Sequence, residues 1–166
     1  MPNTPVSASG KPPRVPPRWF VTRAWKVHRA LYRLMPGTAA LSRAKPGKWG
    51  TMRLTVLGRR SGQERSVILA YIEDGADIVT MAMNGWGEGE PAWWLNLQAH
   101  PEATLELKDG GPRPVTVRRA EGTEHERLWD RYREVEDGKL DGYAAQRSTP
   151  TSLVILSPRA RREHST

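Results

Sequence analysis

From residue 51 to residue 119, short apolar stretches alternate with turns built on glycine. Segments 51–57, 65–72, 77–83, 103–107 and 114–119 each have the length of a strand, and 153–157 adds a sixth near the end. Gly58-Arg59-Arg60-Ser61-Gly62-Gln63 separates the first two, Glu73-Asp74-Gly75 the next two, and Lys108-Asp109-Gly110-Gly111 marks a hairpin. Segment 65–72 is apolar on both faces and reads as a fully buried strand. Residues 84–90 carry three glycines and Trp86, so they read as a loop. Pro91 suits the first turn of a short helix over 92–99. Thr123-Glu124-His125-Glu126 reads as a capping box that opens a helix to about residue 136. Six short strands with few helices predict a mainly β fold, a small barrel with short helices covering it.

The longest apolar run, Val67 to Ile72, is far short of the ~20 residues a membrane-spanning helix needs. The N-terminus lacks the apolar region of a signal peptide, so a cytoplasmic protein is expected. There is no cysteine, which excludes disulfides, thiolate nucleophiles, zinc–thiolate sites and iron–sulfur clusters. The length of 166 residues fits a single domain, expected over 18–158. A proline-rich basic tail, 1–17, reads as disordered before it, and a basic tail, 159–166, follows.

Charge divides the chain in two. Residues 1–65 hold 14 Lys and Arg against one acid, Glu64, whereas residues 66–166 hold 12 against 17 Asp and Glu. A front half this basic suits an anionic partner: a phosphorylated cofactor, a nucleic acid or an acidic membrane. A solvated basic tail accounts for the same composition. Within that half, 18–35 reads as an amphipathic helix ended by Pro36-Gly37. Phe20, Trp25, Leu31 and Met35 share one half of its wheel, and Arg18, Arg23, Lys26, Arg29 and Arg33 the other. Its apolar face can pack on the body or lie on an anionic membrane.

Few residues are arranged for chemistry of their own. His28, His100, His125 and His164 show no metal-ligand spacing, so no metal site is expected. Ser61 lacks a strand-to-helix nucleophile elbow. Glu88 and Glu90 read as solvated acids in a glycine-rich loop. No GxGxxG follows a strand, which argues against a Rossmann nucleotide site. The turn from Gly58 to Arg65 is more informative. Its glycines let backbone N–H groups face an anion, and Arg59, Arg60, Arg65 and Ser61 add charge-assisted donors. It is either a phosphate cradle or an ordinary exposed basic turn. Pro91-Ala92-Trp93-Trp94-Leu95-Asn96-Leu97 places two indoles and an amide on a short helix. A flat aromatic ligand could stack there, or the tryptophans could plug a barrel end.

These two patches, in this order and spacing, resemble the deazaflavin-dependent nitroreductase (oxidoreductase) family. The matching residues are Leu54-Thr55-Val56-Leu57-Gly58-Arg59-Arg60-Ser61-Gly62-Gln63 with Arg65, then Pro91 to Leu97 with His100-Pro101, then the strand Leu153-Val154-Ile155-Leu156-Ser157-Pro158. The similarity runs from about residue 25 to 158. It implies a split β-barrel, FMN-binding-like, that holds the 5-deazaflavin coenzyme F-420, whose phosphodiester and oligoglutamate tail make it strongly anionic. By resemblance, Arg59, Arg60, Ser61 and Arg65 hold the phosphate and tail. Ser66, Val67, Ile68, Leu69 and Ala70 line the deazaflavin, with Met81, Ala82, Met83 and Asn84. Ala92, Trp93, Trp94, Leu95 and Asn96 close the pocket.

The chemistry implied is hydride transfer from C5 of the reduced deazaflavin to a hydrophobic conjugated acceptor: a quinone, an enone or a nitroaromatic. A proton must follow, from a tyrosine or from water. Tyr143 matches a pocket tyrosine of the family and is the catalytic candidate; simple packing is the other reading of it. The chain also departs from the family. Met83-Asn84-Gly85-Trp86 stands where Ser-Lys-Gly-Gly is frequent, which removes a polar group and a cation and adds the bulk of Trp86. Two other readings account for part of the pattern: an FMN-binding split-barrel reductase, and a noncatalytic module for anionic lipid or nucleic acid. FMN suits the long basic turn less well, having one phosphate and no acidic tail. The expected partners are a small hydrophobic substrate, a membrane surface touched through 18–35 at the inner face of the cell membrane and, by resemblance to split barrels, a second copy in a homodimer, with no nucleic acid.

Overall fold

In β1 (Gly50–Leu57), Met52, Leu54 and Val56 are buried, while Thr51, Arg53 and Thr55 between them remain half-exposed. That period of two is a strand with one face on a core. The computed structural model describes residues 40–136 and 138–159; the tail 1–17, the helix expected over 18–35 and the tail beyond Arg159 lie outside them. β1 pairs along its whole length with β2 (Glu64–Asp74), from Leu57 opposite Glu64 to Gly50 opposite Tyr71. β3 (Asp77–Ala82), β4 (Glu102–Glu106), β5 (Arg113–Arg119) and β6 (Ser152–Pro158) complete an antiparallel barrel. Its order is β1-β2-β3-β6-β5-β4, closed by β4 on β1 with Ala103 opposite Val56. The expected mainly β barrel is present, and α1 (Ala92–Ala99), α2 (Gly122–Val135) and α3 (Leu140–Ala144) are the short helices that accompany it.

Two cores result. The barrel interior holds Met52, Leu54, Val56, Ile78, Leu105, Val117, Val154 and Leu156, and Trp93, Trp94 and Leu97 of α1 pack into it. The second core lies on the other face of β3 and β6. There Val79, Met81, Leu153 and Ile155 meet Leu128 and Tyr132 of α2 and Leu140 of α3. Burying these two strands on both faces is what makes them continuous apolar runs.

Three local expectations need correction. Segment 65–72 is not a fully buried strand: Arg65 and Ser66 are exposed, Val67 to Ala70 are half-buried, and only Tyr71 and Ile72 are buried. α2 and α3 cover β3 and β6, and leave the outer face of β2 half open. The capping box does not form, because Glu121 is the N-cap of α2 and no side chain caps it. β3 ends at Ala82, one residue early, because Asn84 and Gly87 close a turn directly after it. The sequence reading has no counterpart for α3. Five residues that include Gly142 carry too little periodicity to be read as a helix. Among the described residues no helix is long and apolar enough to cross a membrane.

Candidate cofactor and substrate site

The hairpin between β1 and β2 folds the arginine turn by its own backbone. Gly58 N–H donates to the Gln63 carbonyl at 2.8 Å, and Gly62 N–H to the Gly58 carbonyl at 2.7 Å. Gly62 has φ of +64°, which a side-chain-bearing residue adopts at a cost. A Cβ on Gly58 would lie 2.8 Å from Ser61 Oγ, so the serine hydroxyl sits folded over the turn. Asn96, buried on α1, accepts from the Arg59 backbone N–H at 3.2 Å and from Arg59 Nη1 at 3.0 Å. The two sequence patches are thereby one physical unit.

Arg59, Arg60 and Arg65 are all exposed. Arg43, Arg53, Arg118, Arg127, Arg131, Arg133 and Arg159 have carboxylate partners, but among the described residues these three have none. Three unneutralised guanidinium groups on one turn, one of them oriented, fit a phosphate with an acidic tail. The glycine N–H groups expected to face the anion do not: Gly58 and Gly62 both spend theirs inside the turn, so the side chains carry the fit.

The other expected lining residues divide by face. Thr55 Oγ1 and Ser66 Oγ share a hydrogen bond at 2.8 Å across β1 and β2, which marks the outer face of β2. Ile68 and Ala70 share that face by alternation, whereas Val67 and Leu69 pack against the barrel interior. Thr80 Oγ1 donates to the Ala70 carbonyl at 2.7 Å, which ties that end of the segment to β3. Met81 and Ala82 are buried, one in each core. Met83 and Asn84 are half-buried beyond the strand end. On α1, Ala92 is exposed and Leu95 half-buried. Trp93 and Trp94 are 8% and 4% exposed inside the barrel core, where they act as its plug. The Arg119 guanidinium lies 5.6 Å from the Trp94 ring centroid.

Tyr143 on α3 is half-buried, and its ring stacks on Trp86 with centroids 5.5 Å apart at 20°. The other described tyrosines are committed. Tyr132 donates to the Val79 carbonyl at 2.8 Å, and burial pushes its hydroxyl pKa strongly up. Tyr71 Oη accepts from Ala44 N–H at 3.3 Å, and burial raises its pKa as well. Among the described tyrosines, Tyr143 alone has a hydroxyl without a hydrogen-bond partner in the protein.

The loop after β3 is fastened to the segment before β6, and sequence reasoning missed this. Glu88, read as a solvated acid, accepts from Ser148 N–H and Ser148 Oγ, each at 2.8 Å. The Ser148 backbone donor, then its hydroxyl, hold the Glu88 carboxyl below the usual range. The buried Arg147 donates to the Gly89 carbonyl at 2.9 Å and to Thr151 Oγ1 at 2.6 Å. Asn84 Nδ2 donates to the same Gly89 carbonyl at 3.3 Å. Glu88 and Ser148 are 60 residues apart and Gly89 and Arg147 are 58 apart, and such pairs leave no periodic signal. Trp86 itself has φ of +63°, next to Gly85 at +56°. Both central residues of this turn are left-handed, and a tryptophan there costs on the order of 1 kcal/mol.

A separate groove of about 440 Å³ opens beside the end of β1, lined by Leu57, Glu64, His100, Glu102, Pro114 and Arg159 among others. It contains none of the expected site residues, and its Arg159 is already paired with Glu102.

A family model described as F420H(2)-dependent quinone reductase matches residues 25–158 of the chain. An F420H(2)-dependent quinone reductase of Mycobacterium tuberculosis is 27% identical over 138 residues, which cover 81% of this chain and 89% of that protein. The solved structure of an F420-H2 dependent reductase superposes with a TM-score of 0.60 at 25% identity, covering 73% of this chain and 100% of the other. A structure described as a domain-swapped dimer superposes with a TM-score of 0.61 at 24% identity, covering 82% and 99% of the two chains, a likeness of fold.

Proposed function

The chain belongs to the F420H(2)-dependent quinone reductase family, and from that premise we propose that it passes a hydride from reduced coenzyme F-420 to a quinone. It is an oxidoreductase with F-420 as its cofactor. The observation that carries the assignment to particular residues is the exposed turn with Arg59, Arg60 and Arg65 unneutralised and Arg59 oriented by Asn96.

On this reading Arg59, Arg60, Arg65 and Ser61 bind the phosphate and acidic tail. The outer face of β2, with Ser66, Ile68 and Ala70, and the residues Met83 and Asn84 border the ring. Bound there, the reduced deazaflavin supplies two electrons and one hydrogen as a hydride, and a quinone that takes them needs one further proton to become the hydroquinone. The Tyr143 hydroxyl holds that proton at Oη, and water reprotonates it. The packed indoles of Trp93 and Trp94 support α1 so that Asn96 stays in place beneath Arg59.

One further feature extends the proposal. The amphipathic pattern of 18–35 suits contact with the membrane that holds a lipophilic quinone.

A titration of F-420 into the purified protein, followed by tryptophan fluorescence, tests the assignment, with FMN and NADPH as parallel controls. Tight binding of F-420 alone supports it. Preferential FMN binding moves the protein to a flavin-dependent reductase on the same barrel and overturns the cofactor assignment.

A further inference from the structure

We propose that Trp86 is a size filter on the acceptor side of the site, which restricts the protein to compact, single-ring quinones. The inference rests on the reading above that Tyr143 faces the acceptor. Trp86 is the one non-glycine residue with a left-handed backbone among those described. Strain of that kind persists where the surroundings hold it, and it gathers at functional sites. Here the surroundings are visible. The turn is closed by Gly87 N–H on the Asn84 carbonyl at 2.9 Å. Glu88 is fastened to Ser148, and Gly89 to Arg147 and Asn84. Trp86 also packs against the second core.

What the strain achieves is the position of one ring. The indole lies over the Tyr143 ring at stacking distance, 5.5 Å between centroids and 20° between planes. A flat ligand stacked on Tyr143 would take that geometry. Trp86 is thus a built-in occupant of the face that a fused-ring acceptor would need. A single quinone ring can approach the exposed edge of the pair, but a second fused ring meets the indole. Both side chains are only half-buried, so part of the pair is reachable from solvent. The segment begins at Met83 and Asn84, the residues read as bordering the deazaflavin, which puts the filter beside the place where hydride would be transferred.

Removing the filter is structurally mild at the backbone, because glycine accepts positive φ freely and asparagine more readily than other side chains. Wild-type protein, Trp86→Gly and Trp86→Asn are compared with reduced F-420 and two acceptors, a dimethyl-1,4-benzoquinone and 2-methyl-1,4-naphthoquinone. The wild type is expected to favour the benzoquinone by about tenfold in kcat/KM, the size of one stacking contact. Both variants are expected to close that gap through a lower KM for the naphthoquinone, with F-420 affinity unchanged. A merely structural role for Trp86 lowers both acceptors by the same factor and leaves their ratio alone, and that result overturns the filter. So does a changed F-420 affinity, which would put Trp86 on the cofactor side. A wild type that binds F-420 but prefers the naphthoquinone overturns the filter alone. One that binds no F-420 overturns the reading beneath it, and the filter with it.

Discussion

The Asn96 side-chain oxygen receives two hydrogen bonds from Arg59, one from its backbone N–H at 3.2 Å and one from Nη1 at 3.0 Å. A buried amide on a helix thus orients a guanidinium on a hairpin turn 37 residues away in sequence. On the proposed reading, Asn96 supports cofactor binding through Arg59. Asn96→Ala is expected to weaken F-420 binding by about tenfold, the worth of one well-placed charge-assisted contact. The rate at saturating cofactor should hold. Unchanged affinity in a fluorescence titration would mean that Arg59 needs no anchor.

The unneutralised turn predicts strong electrostatic binding. Replacing Arg59 and Arg60 together with alanine removes two contacts of about 1.5–3 kcal/mol each. The dissociation constant should rise by at least about a hundredfold. In the wild type, affinity should also fall as salt is raised from 0.05 to 0.5 M, and the double variant should show a flatter dependence. Equal salt dependence in the two proteins counts against the phosphate cradle.

The barrel was legible because β1, β4 and β5 alternate cleanly, as Met52, Leu54 and Val56 do, and because Gly75 marks the turn from β2 to β3 and Gly110 that from β4 to β5. The half-open face of β2 was not legible. Val67 to Tyr71 are apolar at every position, and periodicity cannot say which face a helix covers and which it leaves. In the site, the arginine turn and the Trp-bearing helix were readable as local motifs. Their connection was not, since Arg59 meets Asn96 only when β1 and α1 pack. The fastening of Glu88 to Ser148 and the stack of Trp86 on Tyr143 join residues about sixty apart, and no local pattern reports them.

Tyr143→Phe separates proton supply from packing. The ring and its stack on Trp86 remain, and only the hydroxyl is lost. On the proposed role, kcat for quinone reduction should drop at least about tenfold, the lower part of the range for general acid catalysis because water can substitute. F-420 affinity should not change. An unaltered kcat would assign the proton to water.

Asp74, at the end of β2, ties α2 to the barrel. Its carboxylate accepts from Arg127 at 2.9 and 2.7 Å and from Arg131 at 2.8 Å. The Arg127 hydrogen bond, followed by its charge and then by Arg131, holds the carboxyl below its ordinary range. A lowered folded-state pKa contributes stability that is present above the unfolded value and is lost as pH falls through the folded one. Asp74→Asn should therefore cost about 1 kcal/mol at neutral pH, a modest figure because the partners are partly exposed. The gap in Tm between wild type and variant should narrow below about pH 4. A gap that is constant from pH 7 to pH 3 would show that the ion pairs contribute nothing.

Gly50 opens β1 where the chain before it crosses the barrel end. A Cβ at this position would lie 2.5 Å from Ala44 N and 2.5 Å from Tyr71 Cε1. Neither neighbour can give way easily. Ala44 N–H donates to Tyr71 Oη at 3.3 Å, and that hydroxyl also donates to the Ser42 carbonyl at 3.4 Å, so ring and backbone are bound to each other. Tyr71 is 1% exposed and belongs to the barrel core, which leaves its ring no room to retreat. Gly50→Ala should cost about 1–3 kcal/mol through overpacking and lower Tm by roughly 2–4 °C for each kcal/mol. The arginine turn lies at the other end of β1, so F-420 affinity of the folded fraction should be unchanged. A thermal melt that matches the wild type would mean that the segment before β1 does not approach Tyr71 in solution.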